Sequence, residues 1–342
     1  MAVPAAPEFD LDELGTYLAG HLEGIGGAAR LERIGGGYSN PTFFLRHEAG
    51  GDFVIRKQPP GPLLPSAHAI DREFRVISAL AGSAVPVPKA LHYCTDASVI
   101  GTPFYVMERL DGRVFHDNAL PGLTPADRSA IFDSMNATLA ALHDVDPDVA
   151  GLGDYGRKGG FVERQISRWN RQYEQGKTRT LPEFERLARW LSVNCPRGEE
   201  PCTIVHGDYR LGNLMIHPTE PRVIAVLDWE LSTLGHPLTD LGYNLMAWIM
   251  DRSEHEGLGG HDLDSLGIPR MEAYAQAYMA RRGQDGPLDP FFIALAFFRL
   301  AAIFEGVVSR AVLAGKPDEE IDAVRRYGPI FARHGLTIAG ER

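Results

Sequence analysis

His206-Gly207-Asp208-Tyr209-Arg210-Leu211-Gly212-Asn213, followed downstream by Asp228, is the stretch on which the fold assignment turns. A His, an Asp and an Asn five residues after that Asp stand at the spacing of the phosphoryl-transfer loop H-R-D-x-x-x-x-N, with Gly207 where that pattern has Arg. Val223-Ile224-Ala225-Val226-Leu227 is an apolar run rich in β-branched residues, and it predicts a strand that delivers Asp228 at its end. Phosphoryl transfer asks a protein for little covalent chemistry. It needs the phosphates held, their charge neutralised by metal, and the acceptor hydroxyl aimed in line. Asp208 is the candidate base that accepts the hydroxyl proton or orients the hydroxyl. Asn213 and Asp228 are candidate metal ligands, because hard Mg²⁺ prefers oxygen and takes its remaining ligands from water and phosphates. Taken singly, Asp208 and Asn213 read as a polar turn and Asp228 as a strand end. Capping requires no correlation between positions so far apart, so the set favours chemistry. His206 is expected to brace the loop.

Upstream, Asp10 with Glu13 three residues on heads a helical pattern through Leu14, Leu18 and Leu22. Strands are expected at 30–34, 42–46 and 53–57, forming an antiparallel sheet, with a further strand at 104–107 after a helix defined by Ile70, Phe74, Ile77 and Leu80. The glycine-rich turn from Gly35 to Pro41 would let backbone lie close over phosphates, which makes Gly36, Ser39 and Asn40 candidate nucleotide neighbours. In Phe53-Val54-Ile55-Arg56-Lys57, Arg56 takes the position of Lys in V-A-I-K, and strand alternation sends Lys57 to the other face, where an exposed charge is the expected reading. Glu73, in the following helix, is the natural partner for Arg56. The crossing out of this lobe is expected at Met107-Glu108-Arg109-Leu110, with backbone groups of Glu108 and Leu110 positioned for adenine.

From Thr124 the pattern becomes helical. Thr124 caps, Pro125 opens the helix, and Ile131, Met135, Leu139 and Leu142 form a buried stripe. Further helices are expected at 161–175, 182–194, 238–250, 269–282, 289–313 and 317–334, with short strands at 203–205 and 214–216. The reading is α+β and two-lobed: a small antiparallel-sheet nucleotide-binding lobe over 1–108 and a mostly helical catalytic and substrate-binding lobe over 109–342. Asp240 either caps a helix or anchors the catalytic loop, and the Phe291, Phe292, Phe297, Phe298 and Phe304 cluster reads as helix core.

The 342 residues are 44% hydrophobic and 23% charged, an ordinary globular composition. A net charge of -11 argues against nucleic-acid binding, which calls for a basic face. Cys94, Cys195 and Cys202 are odd in number and make no C-x-x-C pair, so neither a disulfide framework nor a zinc site is suggested and a cytoplasmic setting fits. The longest apolar stretch, from Phe291 to Ile303, is broken by Arg299, and no membrane span is expected.

Through Val205-His206-Gly207-Asp208 to Asn213, and through Leu227-Asp228-Trp229-Glu230, the chain resembles the aminoglycoside phosphotransferase and choline kinase family of protein-kinase-like enzymes. Arg at the strand-three position and Asp-Trp-Glu in place of Asp-Phe-Gly are usual in that family. The resemblance implies ATP and Mg²⁺ as cofactors and a hydroxyl of a small molecule as acceptor. A narrower similarity, through residues 53–61, Leu63-Leu64-Pro65-Ser66-Ala67-His68 and Arg72-Glu73-Phe74-Arg75-Val76, is to the kinase-like domain associated with acyl-CoA dehydrogenases. It implies a functional link to an acyl-CoA dehydrogenase and an acceptor such as a hydroxy acid or hydroxyacyl-CoA. Two alternatives stay open: an aminoglycoside-type antibiotic kinase, for which Asp251, Glu254, Glu256, Asp262 and Asp264 would supply acids, and a non-catalytic nucleotide-binding pseudokinase or scaffold.

Overall fold

The computed structural model describes residues 9–23, 25, 29–34, 40–47, 51–61 and 69–341. Its contacts divide the chain into two units, 1–113 with 224–230, and 114–223 with 231–342. The class is α+β.

The first unit holds α1 (Leu11–Ala19), β1 (Ala29–Ile34), β2 (Thr42–His47), β3 (Asp52–Lys57), α2 (Ile70–Leu80), β4 (Ala90–Cys94), α3 (Ala97–Ile100) and β5 (Phe104–Glu108). The Asp10 carboxylate accepts from the backbone N–H of Asp12 and Glu13, so α1 starts where the cap pattern places it, and it ends at Ala19, before Leu22. The sheet is antiparallel with order β1-β2-β3-β5-β4. β4 extends it beyond the strands expected from sequence. Alternation along β3 and β5 assigns each side chain to a face. Ile55, Phe104 and Val106 join Leu14, Leu18, Leu45, Cys94 and Ile100 in one apolar core. Val54, Arg56 and Tyr105 take the opposite face, where Arg56 and Tyr105 both reach Glu73 of α2.

β6 (Arg113–Val114) leads into the second unit, which carries α4 (Pro125–Asp144), α5 (Phe161–Gly176), α6 (Pro182–Val193), β7 (Thr203–Val205), β8 (Leu214–Ile216) and β9 (Val223–Val226), whose last residues belong to the first unit. There follow β10 (Thr233–Gly235), α7 (Leu238–Ile249), α8 (Leu263–Leu266), α9 (Met271–Arg281), α10 (Phe291–Leu313), α11 (Asp318–Arg325) and α12 (Tyr327–Ile338). Thr124 caps α4 with Pro125 in its first turn, and the stripe Ile131, Met135, Leu139 and Leu142 is buried. α10 is the centre of the unit, packed against α5, α6, α7 and α12. It is long and apolar enough to cross a membrane, but 78% of its most apolar window is buried inside the protein, as in a core helix. Phe291, Phe292, Phe297 and Phe298 lie in that core.

The single helix expected over 317–334 is two. Pro329 lacks the N–H that would bond Arg325 O in a continuous helix, and that carbonyl instead accepts from Arg179 Nη2 at 2.5 Å. β10, which pairs antiparallel with β7, was not expected from sequence.

Candidate active site

In the first unit the structure brings Arg56, Glu73, Asn40 and Asp228 together. Arg56 Nε lies 2.8 Å from Glu73 Oε2 as an ion pair, and Arg56 Nη2 donates to Asp228 Oδ1 at 2.6 Å, with Glu230 Oε2 at 3.6 Å. Glu73 is 1% exposed, a buried carboxylate. Asn40 Nδ2 donates to its Oε1 at 2.5 Å and the Tyr105 hydroxyl to its Oε2 at 3.2 Å. Burial works against the Arg56 charge, but Glu73, then Tyr105, Asp228 and Glu230 more than offset it and hold the guanidinium above its ordinary value. Asp228 has φ 62°, in the left-handed region where an L-residue other than Asn or Asp is rare. The turn around it is tied down by neighbours: Val226 N–H donates to Pro86 O at 2.8 Å, and Trp229 Nε1 to Val226 O at 3.0 Å.

Lys57 corrects the sequence reading. It is 4% exposed, not a solvated strand charge, because its face of β3 is covered; Nζ donates to Ile100 O at 3.1 Å and sits 4.9 Å from the Phe9 ring centroid. Glu108 Oε1 accepts from Lys89 N–H at 2.7 Å, and Leu110 lies just beyond β5. Gly36 and Ser39 lie outside the described residues.

In the second unit Asp208 and Asn213 meet. Asn213 Nδ2 donates to both Asp208 O at 2.9 Å and Asp208 Oδ2 at 2.8 Å, which turns the Asn213 amide oxygen away from the carboxylate. Tyr243 neighbours Asp208; loss of hydration, then the Asp208 charge, push its phenol far above its ordinary range, so it stays protonated. Arg210 Nε stands 3.6 Å from Asp208 Oδ2.

The loop backbone is pinned from below. Asp240 accepts from His206 N–H at 2.6 Å and Gly207 N–H at 2.8 Å, and from His143 Nε2 at 3.3 Å, so it anchors the loop that carries Asp208 rather than capping its own helix. Burial alone would raise the Asp240 carboxyl, but the bond and charge of His143, the charge of His206 and the Gly207 N–H outweigh it and hold it below the usual range. His206 is fully buried and its Nδ1 accepts from Asp208 N–H at 3.2 Å, a brace within the loop. Tyr209 hydroxyl donates to Met135 O at 2.8 Å, fastening the loop to α4.

Tyr105, Glu230, Tyr243 and Arg210 are the neighbours that sequence spacing missed. The acids of 251–264 are largely committed: Glu256 receives Arg210 Nη1 at 3.1 Å, Glu254 bonds His334 Nε2 at 2.7 Å, Asp264 pairs with Arg270 at 2.5 Å, and Asp251 and Asp262 bind neighbouring serines.

An antiparallel sheet unit carrying Arg56, Glu73 and Asp228, and a helical unit carrying Asp208 and Asn213, define a class, the phosphotransferase fold shared by antibiotic kinases. The chain belongs to the phosphotransferase enzyme family, whose model matches residues 30–279. It is 45% identical over 339 residues to acyl-CoA dehydrogenase family member 11 of Rattus norvegicus, covering 97% of this chain and 43% of that protein. The chain thus spans less than half the length of the curated relatives it matches. Among solved structures, a Ralstonia eutropha JMP134 protein provisionally assigned as an aminoglycoside phosphotransferase is 42% identical, with TM-score 0.88 over 97% of this chain and 98% of that one. The aminoglycoside phosphotransferase APH(4)-Ia, in ternary complex with ADP and hygromycin B, shares the fold at 15% identity and TM-score 0.59, covering 92% and 94%.

Proposed function

We propose that the chain is an ATP- and Mg²⁺-dependent phosphotransferase that moves the γ-phosphoryl group to a hydroxyl of a small molecule, with a hydroxy acid or hydroxyacyl-CoA as the acceptor. Family membership supports the reaction class, and the acyl-CoA dehydrogenase names of the relatives support the acceptor class. The observation that carries the reading is the Asp208–Asn213 pair: one amide nitrogen fixes the carboxylate that would orient the hydroxyl and presents the amide oxygen to a cation.

Each donor is of a type that Mg²⁺ takes. Asn213 and Asp228 each offer an oxygen whose orientation is set by a bond through the rest of the group, to Asp208 and to Arg56 respectively. Two protein ligands suffice for an ion that draws the rest from water and phosphate, and among the described residues no cluster of three or more His, Cys, Asp or Glu offers an all-protein cage. Mg²⁺ bound there would neutralise phosphate charge. Arg56, oriented by Glu73, would grip phosphate oxygens through its guanidinium fork, and Asp208 would hold the acceptor hydroxyl in line. A cytoplasmic protein acting beside an acyl-CoA dehydrogenase is the setting we propose.

The test is ADP release with hydroxy acids, hydroxyacyl-CoAs, aminoglycosides and choline as acceptors. Asp208→Asn is expected to bind nucleotide but lose at least 100-fold in kcat, a loss in the range for removing a positioned acid–base group. Asp228→Asn is expected to lose the Mg²⁺ dependence of ATP binding. Wild-type turnover by Asp208→Asn would remove Asp208 from its role.

A further inference from the structure

Tyr243, whose phenol feels the Asp208 charge, borders a second polar group. The Arg299 guanidinium lies 5.3 Å from the Tyr243 ring centroid and 5.6 Å from that of Trp169, and Arg168 lies 5.0 Å from the same indole. Three elements converge to make this arrangement: α5 brings Arg168 and Trp169, α7 brings Tyr243, and α10 brings Arg299. Arg299 is the single charged residue in the apolar first half of α10, between Phe298 and Leu300, and its Nε is buried without a hydrogen-bond partner. Among the described residues, neither Arg299 nor Arg168 has an ion-pair or hydrogen-bond partner.

Other half-buried arginines of this unit have an acidic partner. Arg179 is matched by Glu305, Arg210 by Glu256, Arg281 by Asp133 and Arg282 by Asp144. A guanidinium removed from water ordinarily acquires an anion, because desolvation without pairing is costly. Aromatic faces recover part of that cost, and Arg stacks on them well. They do not cancel charge. The two cations also repel: Arg168, exposed at its surface, is held below its ordinary value first by lost hydration around its covered part and then by the Arg299 charge. Two unneutralised guanidiniums on one indole, in a chain of net charge -11, are an arrangement that an anion from outside would complete.

We propose that Arg168 and Arg299 form an anion subsite beside Asp208, so that the phosphoryl acceptor is a hydroxylated molecule that also carries a carboxylate or a phosphate. The inference rests on the phosphotransfer reading of Asp208, and it makes the two arginines specificity-determining residues of that reaction. The anion docks on the guanidiniums, the carbon chain lies along Trp169 and Tyr243, and the hydroxyl reaches Asp208. A polyammonium acceptor is disfavoured twice, by the unpaired cations and by the commitment of the 251–264 acids to internal partners.

Calorimetry on the full chain, with and without AMP-PNP and Mg²⁺, tests this directly. The probes are 4-hydroxybutyrate, 3-hydroxybutyryl-CoA, uncharged 1,4-butanediol and kanamycin. At least one anion is expected to bind wild type more tightly than the diol or kanamycin. Arg168→Gln and Arg299→Gln should each weaken it at least tenfold, and Arg299→Lys should retain most of it. Binding of 4-hydroxybutyrate identifies a carboxylate as the recognised group; binding of the coenzyme A ester alone identifies its phosphates. Arg168 stands exposed on α5, so its variant remains informative if Arg299→Gln does not fold. No binding of either anion, equal binding by the diol, or binding indifferent to the Arg168→Gln change would overturn the subsite. Arginine-dependent anion binding without ADP release from ATP would instead overturn phosphoryl transfer while leaving the subsite standing.

Discussion

Gly207 shows what a single departure from a motif does. Its φ is +83°, and a Cβ there would stand 2.6 Å from Leu231 O, so the loop closes against the chain beyond Asp228 only with glycine at this position. The residue after His206 must also present its N–H to Asp240, which leaves no freedom to relieve the contact. Gly207→Ala is therefore expected to destabilise the protein by roughly 1–3 kcal/mol and to lower turnover as Asp208 shifts. Thermal unfolding and ADP release on the same preparation check it, and an unchanged melting temperature would count against the geometry. The substitution of Gly for Arg was legible in the sequence; its reason was not, because Leu231 approaches from outside the motif. The same holds for Tyr105 and Tyr243. Tyr105 bonds Glu73 and Tyr243 neighbours Asp208 from distant elements, and nothing in their local sequence marks them. Arg56 and Glu73 were legible because strand alternation and helix position place them on facing sides.

At the scale of elements, α7 and α10 cross at Gly242, whose added Cβ would collide with the backbone of Phe292 and Ile293. α7 carries Asp240 and Tyr243, and α10 carries Arg299, so this close approach sets the spacing of the loop anchor, Tyr243 and Arg299. Gly242→Ala would force the helices apart at an expected cost of about 1–3 kcal/mol, with a loss of activity. Gly15, inside α1 with open space around its Cα, predicts the opposite sign: Gly15→Ala gains helix propensity, about 0.5–1 kcal/mol, and leaves turnover alone. Urea denaturation of both variants decides the pair; the same sign for both would refute the packing argument. Long apolar elements such as α10, expected at 289–313 and found at Phe291–Leu313, were legible to within a residue or two. β4 was not, because Pro86 and Pro88 precede it and a bulge between Ala90 and His92 breaks its alternation. β10, Thr233-Leu234-Gly235, lacks the apolar run that marks β7 and β8 and ends in glycine. The 317–334 pattern carries apolar residues across a break that only Pro329 signals.

At the scale of the whole molecule, the buried histidines of the second unit make stability depend on pH. His236 rests its ring 4.5 Å from that of Phe292 and accepts from Leu238 N–H at 3.2 Å; loss of hydration outweighs the attraction of Glu200 and pulls it down to about 4. His143, fully buried between Asp240 and the Tyr278 hydroxyl, is also lowered, burial outweighing Asp240. In the unfolded chain each ring titrates near 6.5. Between about 6.5 and about 4 the unfolded state therefore binds more protons than the native one, and stability is lost as pH falls through that window. His236 alone accounts for on the order of 3 kcal/mol across it. The depressed Asp240 carboxyl acts in the same direction at lower pH, since its contribution is present above the unfolded carboxylate range and disappears on protonation. Urea midpoints measured from pH 7.5 down to pH 4.5 should fall steadily. His236→Asn, which keeps an acceptor for Leu238 N–H and cannot take up a proton, should flatten the lower part of that profile. A midpoint independent of pH across this range in the parent chain would mean that neither ring is held neutral by the fold.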